Sequence, residues 1–343
     1  MRTLVISDLH LGARSGRDVL RRPAALQALL EALDDVDRLV LLGDTVELLE
    51  GRPKPAMRVA LPVLRAIGAR LGHDRQVVVV LGNHDHALVR PWLRTQRRRH
   101  RRMGLSSRVP ASSSEALKAV TDALRPARTQ VRYPGVWLGD GVWATHGHYL
   151  DRHLFPSGST GILLGRVPEG RASAEDYETA AGPSAAAVQG LVAASLPGLL
   201  GEPLDRAAGL ARSASITMLP LATKLLGGGV LAPLSAGALG FQFRRAGLPA
   251  MAEVALRLNV KAEHVIFGHL HRAGPRFGDH VPEWTPRGKQ AFTNSGCWVY
   301  EPLLLAGAHA PHPYWPGGAV LVEDGAAPVA LGLLDGFTEA ELG

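Results

Sequence analysis

Cysteine is almost absent from these 343 residues: Cys297 is the only one. A single thiol excludes an intrachain disulfide framework and any zinc site built from thiolates. Lysine is nearly as scarce. Lys54, Lys118, Lys224, Lys261 and Lys289 are the only lysines among 38 basic residues, so the positive charge is carried by arginine. The N-terminus, MRTLVISDLH, has no charged n-region, apolar h-region and cleavage site, and a cytoplasmic, reducing setting is the expectation. With 39 glycines and 24 prolines, the chain stays below the roughly 25–30% that marks low-complexity sequences. At about 150 residues per domain, the length suits two domains, or one large α/β domain carrying an insertion.

Acidic residues are missing from one stretch. Between Asp85 and Glu115 there is none, while Arg90, Arg94, Arg97, Arg98, Arg99, Arg101, Arg102 and Arg108 fall inside it. The net charge is +7, so the rest of the chain is near neutral. The basicity is one local patch rather than a global field.

The first half alternates apolar β-branched runs with helical spacing. Thr3–Ser7, Leu39–Leu42 and Val77–Leu81 read as short strands buried on both faces. Pro23–Leu33 and Ala56–Leu71 carry helical spacing between them, which argues for an α/β fold. Val142–Thr145 and His264–Phe267 read as later strands, and Gln290–Thr293, Ala319–Glu323 and Val329–Leu333 as strands closing the sheet. Residues 151–261 differ in kind, being rich in Ala, Leu and Gly with prolines as punctuation, and read as a helical insertion. Ser173-Ala174-Glu175-Asp176 resembles a capping box, and Pro249 suits the first residue of a helix running to about Asn259. Two uncharged runs, Thr179–Gly201 and Leu225–Phe243, reach membrane-spanning length, yet their Ala, Gly, Ser and Pro content favours a buried helical hairpin. An exposed apolar face meeting lipid is the other reading.

The chemically informative residues follow predicted strands. Asp8-Leu9-His10 follows the first, Gly43-Asp44-Thr45-Val46-Glu47 the second, and Gly82-Asn83-His84-Asp85 the third. His146-Gly147-His148 and Gly268-His269-Leu270-His271 follow two later strands. Ligands bind at the carboxyl ends of strands in open α/β sheets, so five such clusters are expected on one rim. Carboxylate, imidazole and amide oxygen without thiolate suit Mn²⁺, Fe or Zn²⁺, and the donors suffice for two divalent ions. Alternation along a strand puts Asp8 and His10 on one face, unless the loop turns them; His269 and His271 share that spacing. Singly, each cluster has a plain reading: Asp44 as a helix cap, for instance. The ordered set of five does not.

These blocks resemble those of the calcineurin-like metallophosphoesterases, over about residues 1–150 and 262–335. The resemblance implies two mixed β-sheets packed as a sandwich and flanked by helices, with 151–261 as an inserted cap and 336–343 as a C-terminal tail. It implies one ion held by Asp8, His10, Asp44 and His271, and a second held by Asp44, Asn83, His146 and His269. His84 would then face the substrate phosphate as a catalytic residue, with Asp85 orienting its ring. Such a pair of ions lowers the pKa of a shared water and neutralises phosphoryl charge. His148 stands where related lipid-nucleotide hydrolases carry Asp, and is a candidate substrate contact. Asp151 and His153 continue that loop, and Thr293-Asn294-Ser295-Gly296 resembles the structural turn that closes the fold.

The resemblance implies a phosphate ester or pyrophosphate as substrate, and two readings divide its class. One is a small or lipid-linked phosphoester, because the motif layout resembles UDP-diacylglucosamine hydrolases and an apolar insertion adjoins the site; peripheral membrane contact goes with it. The other is nucleic acid held along Arg94–Arg108. That segment lacks interleaved aromatics, Trp92 alone lying near. A solvated arginine loop is the plain alternative.

Overall fold

The computed structural model describes residues 1–139, 141–153, 170–180, 246–276, 278–288, 290–305 and 307–342. The chain divides into two compact units, Met1–His148 with Val260–Gly343, and Tyr149–Asn259.

The first unit is built on two mixed sheets. The larger has seven strands: β1 (Arg2–Ile6), β2 (Arg38–Leu42), β3 (Gln76–Val80), β4 (Ser107–Arg108), β5 (Arg128–Tyr133), β10 (Gly318–Glu323) and β11 (Val329–Gly332). Their order is β11-β10-β1-β2-β3-β5-β4, parallel from β1 to β5 and antiparallel at both edges. The smaller runs β6 (Gly135–Gly139), β7 (Val142–Thr145), β8 (His264–Phe267), β9 (Ala291–Asn294), with β7, β8 and β9 parallel. The three C-terminal strands are thus shared between two sheets rather than closing one.

Alternation along the central strands builds two cores. Leu4, Ile6, Leu39, Leu41, Val77 and Val79 point one way, onto helices α1 (Pro23–Ala32), α2 (Pro53–Leu71) and α4 (Glu115–Ala123). Val5, Val40, Leu42, Val78 and Val80 point the other way, onto Val136, Leu138, Val142, Ala144 and Ile266 of the smaller sheet. Nearly continuous apolar runs form these strands because both faces are dry. Each such side chain contributes about 1.5–3 kcal/mol on burial. α1 and α2 each begin with Pro in the first turn, where a missing N–H costs nothing. Ser114 caps α4, accepting from the Leu117 amide at 3.1 Å.

Three elements escape the hydrophobic pattern. β5, RTQVRY, lies next to the two-residue edge strand β4 and keeps several positions partly exposed, so its sequence is polar. β6 follows it in the chain but pairs with β7 in the smaller sheet. Helix α3 (Arg90–Arg98) runs through the arginine stretch, anchored by buried Trp92 and by Leu93 packed on the core. Near the C-terminus, Glu339–Leu342 is helical, and Leu342 is buried in the main core.

In the second unit, a helix at Ala174–Ala180 opens on the reciprocal box read from sequence. The Asp176 amide donates to Ser173 Oγ at 3.3 Å, and the Ser173 amide donates to Asp176 Oδ2 at 2.7 Å. Tyr149 and Tyr177 stack at 4.7 Å, and His153 Nε2 lies 2.9 Å from the Tyr177 hydroxyl. Residues 246–257 are helical, so Pro249 sits inside the helix rather than at its first position. Of the uncharged runs Thr179–Gly201 and Leu225–Phe243, all but residues 179 and 180 lie outside the described residues. No described helix is long and apolar enough to cross a membrane.

Candidate metal centre

The five clusters follow β1, β2, β3, β7 and β8, and the structure brings them together where these strands end. Alternation is not the means. β1 ends at Ile6, and Asp8 and His10 lie beyond it with φ of 54° and 43°. Asp44, His269 and His271 are likewise left-handed, at 50°, 69° and 56°. Seven described non-glycine residues have positive φ, and five of them are these candidate ligands. Each costs about 1–3 kcal/mol, and such strain concentrates at functional sites. Asp8 and His10 do point to a common place, but the turn aims them there.

Close packing accounts for two of the motif glycines. A Cβ on Gly82 would lie 2.2 Å from Asp44 Oδ1, and one on Gly268 would lie 2.5 Å from Asp8 Oδ2. Only glycine lets those backbones pass the carboxylates.

Three groups of donors converge within 4.8 Å: Asp8, His10 and His271; Asp44, His146 and His269; and His10, Asp44 and His84. Asp44 belongs to two of them, one with His10 and His84 and the other with His146 and His269. Its Oδ2 lies 3.1 Å from His146 Nε2 and 3.7 Å from His10 Nε2. Its Oδ1 accepts from the His84 amide at 2.8 Å. Asp8 Oδ2 is engaged by the Ser7 hydroxyl and by the His269 amide at 3.0 Å, which turns Oδ1 toward His271 Nε2 at 3.3 Å. Asn83 Oδ1 lies 3.0 Å from His146 Nε2.

The residues fit a divalent cation. Asp8 Oδ1 and His10 Nε2 are buried and have no hydrogen-bond partner. An orphaned carboxylate oxygen beside an orphaned imidazole nitrogen, 4.0 Å apart, is costly unless a cation takes both. The ring nitrogens turned away are held in the manner of metal-ligating histidines. His146 Nδ1 donates to the Leu42 carbonyl at 3.0 Å, and His10 Nδ1 donates to Glu47 Oε2 at 2.9 Å. Both leave Nε2 facing the cluster.

The electrostatics favour positive charge. Burial raises the Asp8 carboxyl, but the His146 and His271 imidazoles outweigh it and hold it at about 2. Asp44 is held well below the usual carboxylate range by His146 and His84, again against burial. Burial pushes His84 and His146 down, yet Asp44, with Glu47 or Asp8, lifts each to about 9. Buried carboxylates impose this field on any cation that enters.

One expected role moves to another residue. Asp85 does not orient the His84 ring: its Oδ1 accepts from the Gly82 amide at 2.6 Å and its Oδ2 from the Thr45 amide at 2.8 Å. It ties the β2 loop to the β3 loop, and burial followed by Asp44 raises it to about 6. The His84 ring is held by Glu47, whose Oε2 lies 2.6 Å from His84 Nδ1 and also accepts from His10. Glu47 Oε1 accepts from the Leu49 and Glu50 amides, each at 2.9 Å. In the sequence Glu47 shows only as the end of Gly-Asp-x-x-Glu; a second carboxylate three residues after Asp44 is the available signal.

His148 lies beside the cluster. Its ring centroid is 5.6 Å from that of His146, and its Nε2 is 3.5 Å from the Tyr133 hydroxyl. Asn294 Nδ2 donates to the Gly268 carbonyl at 2.7 Å, and Ser295 Oγ is 2.7 Å from Ser7 Oγ, so the β9 turn braces the Asp8 loop. His309 and His312 belong to none of the three donor groups.

Residues 1–166 match the family model of the calcineurin-like phosphoesterases. The match includes every candidate ligand except His269 and His271, which β8 adds from beyond it. No curated protein matches the chain.

Proposed function

We propose, on the premise that residues 1–166 belong to the calcineurin-like phosphoesterases, that this chain hydrolyses a phosphate ester or pyrophosphate bond at a centre of two divalent cations. The supporting observation is that Asp44 belongs to two converging donor groups, one with His146 and His269, beside Asn83, and one with His10 and His84, while His10 also joins Asp8 and His271 in a third. Mn²⁺, Fe and Zn²⁺ all suit oxygen and imidazole donors without thiolate. The chemistry a bound pair supplies is Lewis acidity: activation of a water and neutralisation of phosphoryl charge.

The chain's own groups do the rest. The Asp44 and Asp8 carboxylates hold the positive charge in place, and their second oxygens are pinned by the His84 and His269 amides. Glu47 fixes the His84 ring through Nδ1, leaving the far ring nitrogen to donate to a phosphoryl oxygen or to protonate the leaving group. His148, beside His146, is placed to touch the substrate.

The reading is tested with Asp44→Asn. Loss of at least one equivalent of metal, with turnover of a chromogenic phosphodiester reduced to background and an unchanged circular dichroism spectrum, is expected. Full metal occupancy and a normal rate in that variant would refute a shared carboxylate. A panel of phosphodiester, monoester, UDP-linked lipid and single-stranded DNA under Mn²⁺ assigns the bond class.

A further inference from the structure

The fold sorts the arginine stretch into two sets. Arg99, Arg101, Arg102 and Arg108 line an open cleft of about 780 Å³ in the first unit, whereas Arg90, Arg94, Arg97 and Arg98 do not. α3 and its C-cap Arg99 give the cleft one face, Trp92, Thr95, Gln96 and Arg99, at the i, i+3, i+4, i+7 spacing that stacks side chains along one side of a helix. The lining also includes Ser107, Ser112 and Ser113. Among the described residues, none of the four guanidinium groups has a carboxylate partner, and no acidic residue occurs between Asp85 and Glu115. The cleft contains none of the metal-centre residues.

We propose that this cleft is a binding site for a compact ligand bearing adjacent phosphate groups, a di- or triphosphate. Four like charges gathered around a concavity repel one another unless an anion sits among them. Guanidinium forks pair with phosphate oxygens two bonds at a time, and neighbouring hydroxyls supply further donors. The volume lies in the roughly 300–1,000 Å³ range of small-molecule sites. A long single strand would need stacking platforms, and Trp92, the one aromatic in the lining, is buried. A membrane surface would engage the outward arginines as well as these four. The inference stands independently of the hydrolase reading.

The experiment is calorimetric titration of the full chain with inorganic tripolyphosphate, without added divalent ions. Arg101→Gln/Arg102→Gln and Arg99→Gln/Arg108→Gln are each expected to weaken binding by about tenfold or more, the size of one or two lost charge-assisted bonds. Arg97→Gln/Arg98→Gln removes the same charge outside the cleft and should stay within about twofold of the parent. Asp44→Asn should bind tripolyphosphate normally, separating this site from the metal centre. ATP binding as tightly as tripolyphosphate places recognition in the phosphates alone; tighter ATP binding adds the nucleoside to the same site. Absence of binding overturns the proposal. So does equal weakening by the Arg97/Arg98 pair, or tighter binding of an oligonucleotide or anionic vesicle with all eight arginines contributing alike.

Discussion

Replacing Glu47 by Gln should disable the centre without touching any candidate ligand. Glu47 is buried and makes four hydrogen bonds: Oε1 takes the Leu49 and Glu50 amides, and Oε2 takes His10 Nδ1 and His84 Nδ1. Glutamine keeps the first pair through its carbonyl oxygen. Its NH₂ then faces two ring nitrogens at the 2.9 Å and 2.6 Å positions, donor against donor. The imidazoles escape only by moving their protons to Nε2, and for His10 that is the atom turned to the cluster. Two charge-assisted bonds are lost, each worth about 1.5–3 kcal/mol. The sum, roughly 3–6 kcal/mol, divides between fold stability and cation affinity. We expect cation binding about 10–10²-fold weaker and turnover down by about 10²–10⁴, read by metal competition titration beside steady-state rates. Asp85→Asn is the comparator. It should lower the melting temperature through the Thr45 and Gly82 amides while a smaller share of its loss appears in metal affinity. Wild-type metal content and a rate within threefold of normal in Glu47→Gln would refute the reasoning, as would Asp85→Asn losing metal more severely.

Gly82→Ala places a methyl 2.2 Å from Asp44 Oδ1, which the His84 amide already pins, so metal binding and turnover should collapse together; near-normal occupancy by elemental analysis would contradict the packing argument. His84→Ala should retain metal while the rate falls by about 10²–10⁴; metal lost with the imidazole would instead make His84 a ligand, as its proximity to His10 and Asp44 allows. In the second unit, burial and Arg257 depress His153 from 6.5 to about 4, so the unfolded chain binds the extra proton. Stability should therefore be complete above about pH 6.5 and fall as pH drops toward 4. Melting curves of His153→Gln should lose that slope, and an unchanged slope would place the titration elsewhere.

Much of this protein was settled by local sequence. Val77–Val80 reads as a strand with two dry faces, and so does Leu39–Leu42, because an unbroken apolar run between turn residues leaves no polar side. Asp8, Asp44, His84, His146 and His269 were legible as candidates because each directly follows such a run. What local sequence could not determine is which atom meets which. That depends on five left-handed backbones past the strand ends and on loops separated by some forty residues or far more, as with His269 and Asp8. Asp85 and Glu47 are both carboxylates near His84 in the chain or in the fold. Only the closure of the β2 loop on the β3 loop directs one to backbone amides and the other to the ring. The polar β5 was hidden for a related reason: at a sheet's margin, pairing rather than hydrophobicity makes the strand. Among eight arginines of one chemistry, the turn of α3 and the edge strand β4 decided which four share a cleft, because helical phase and strand pairing act across space and not along the chain.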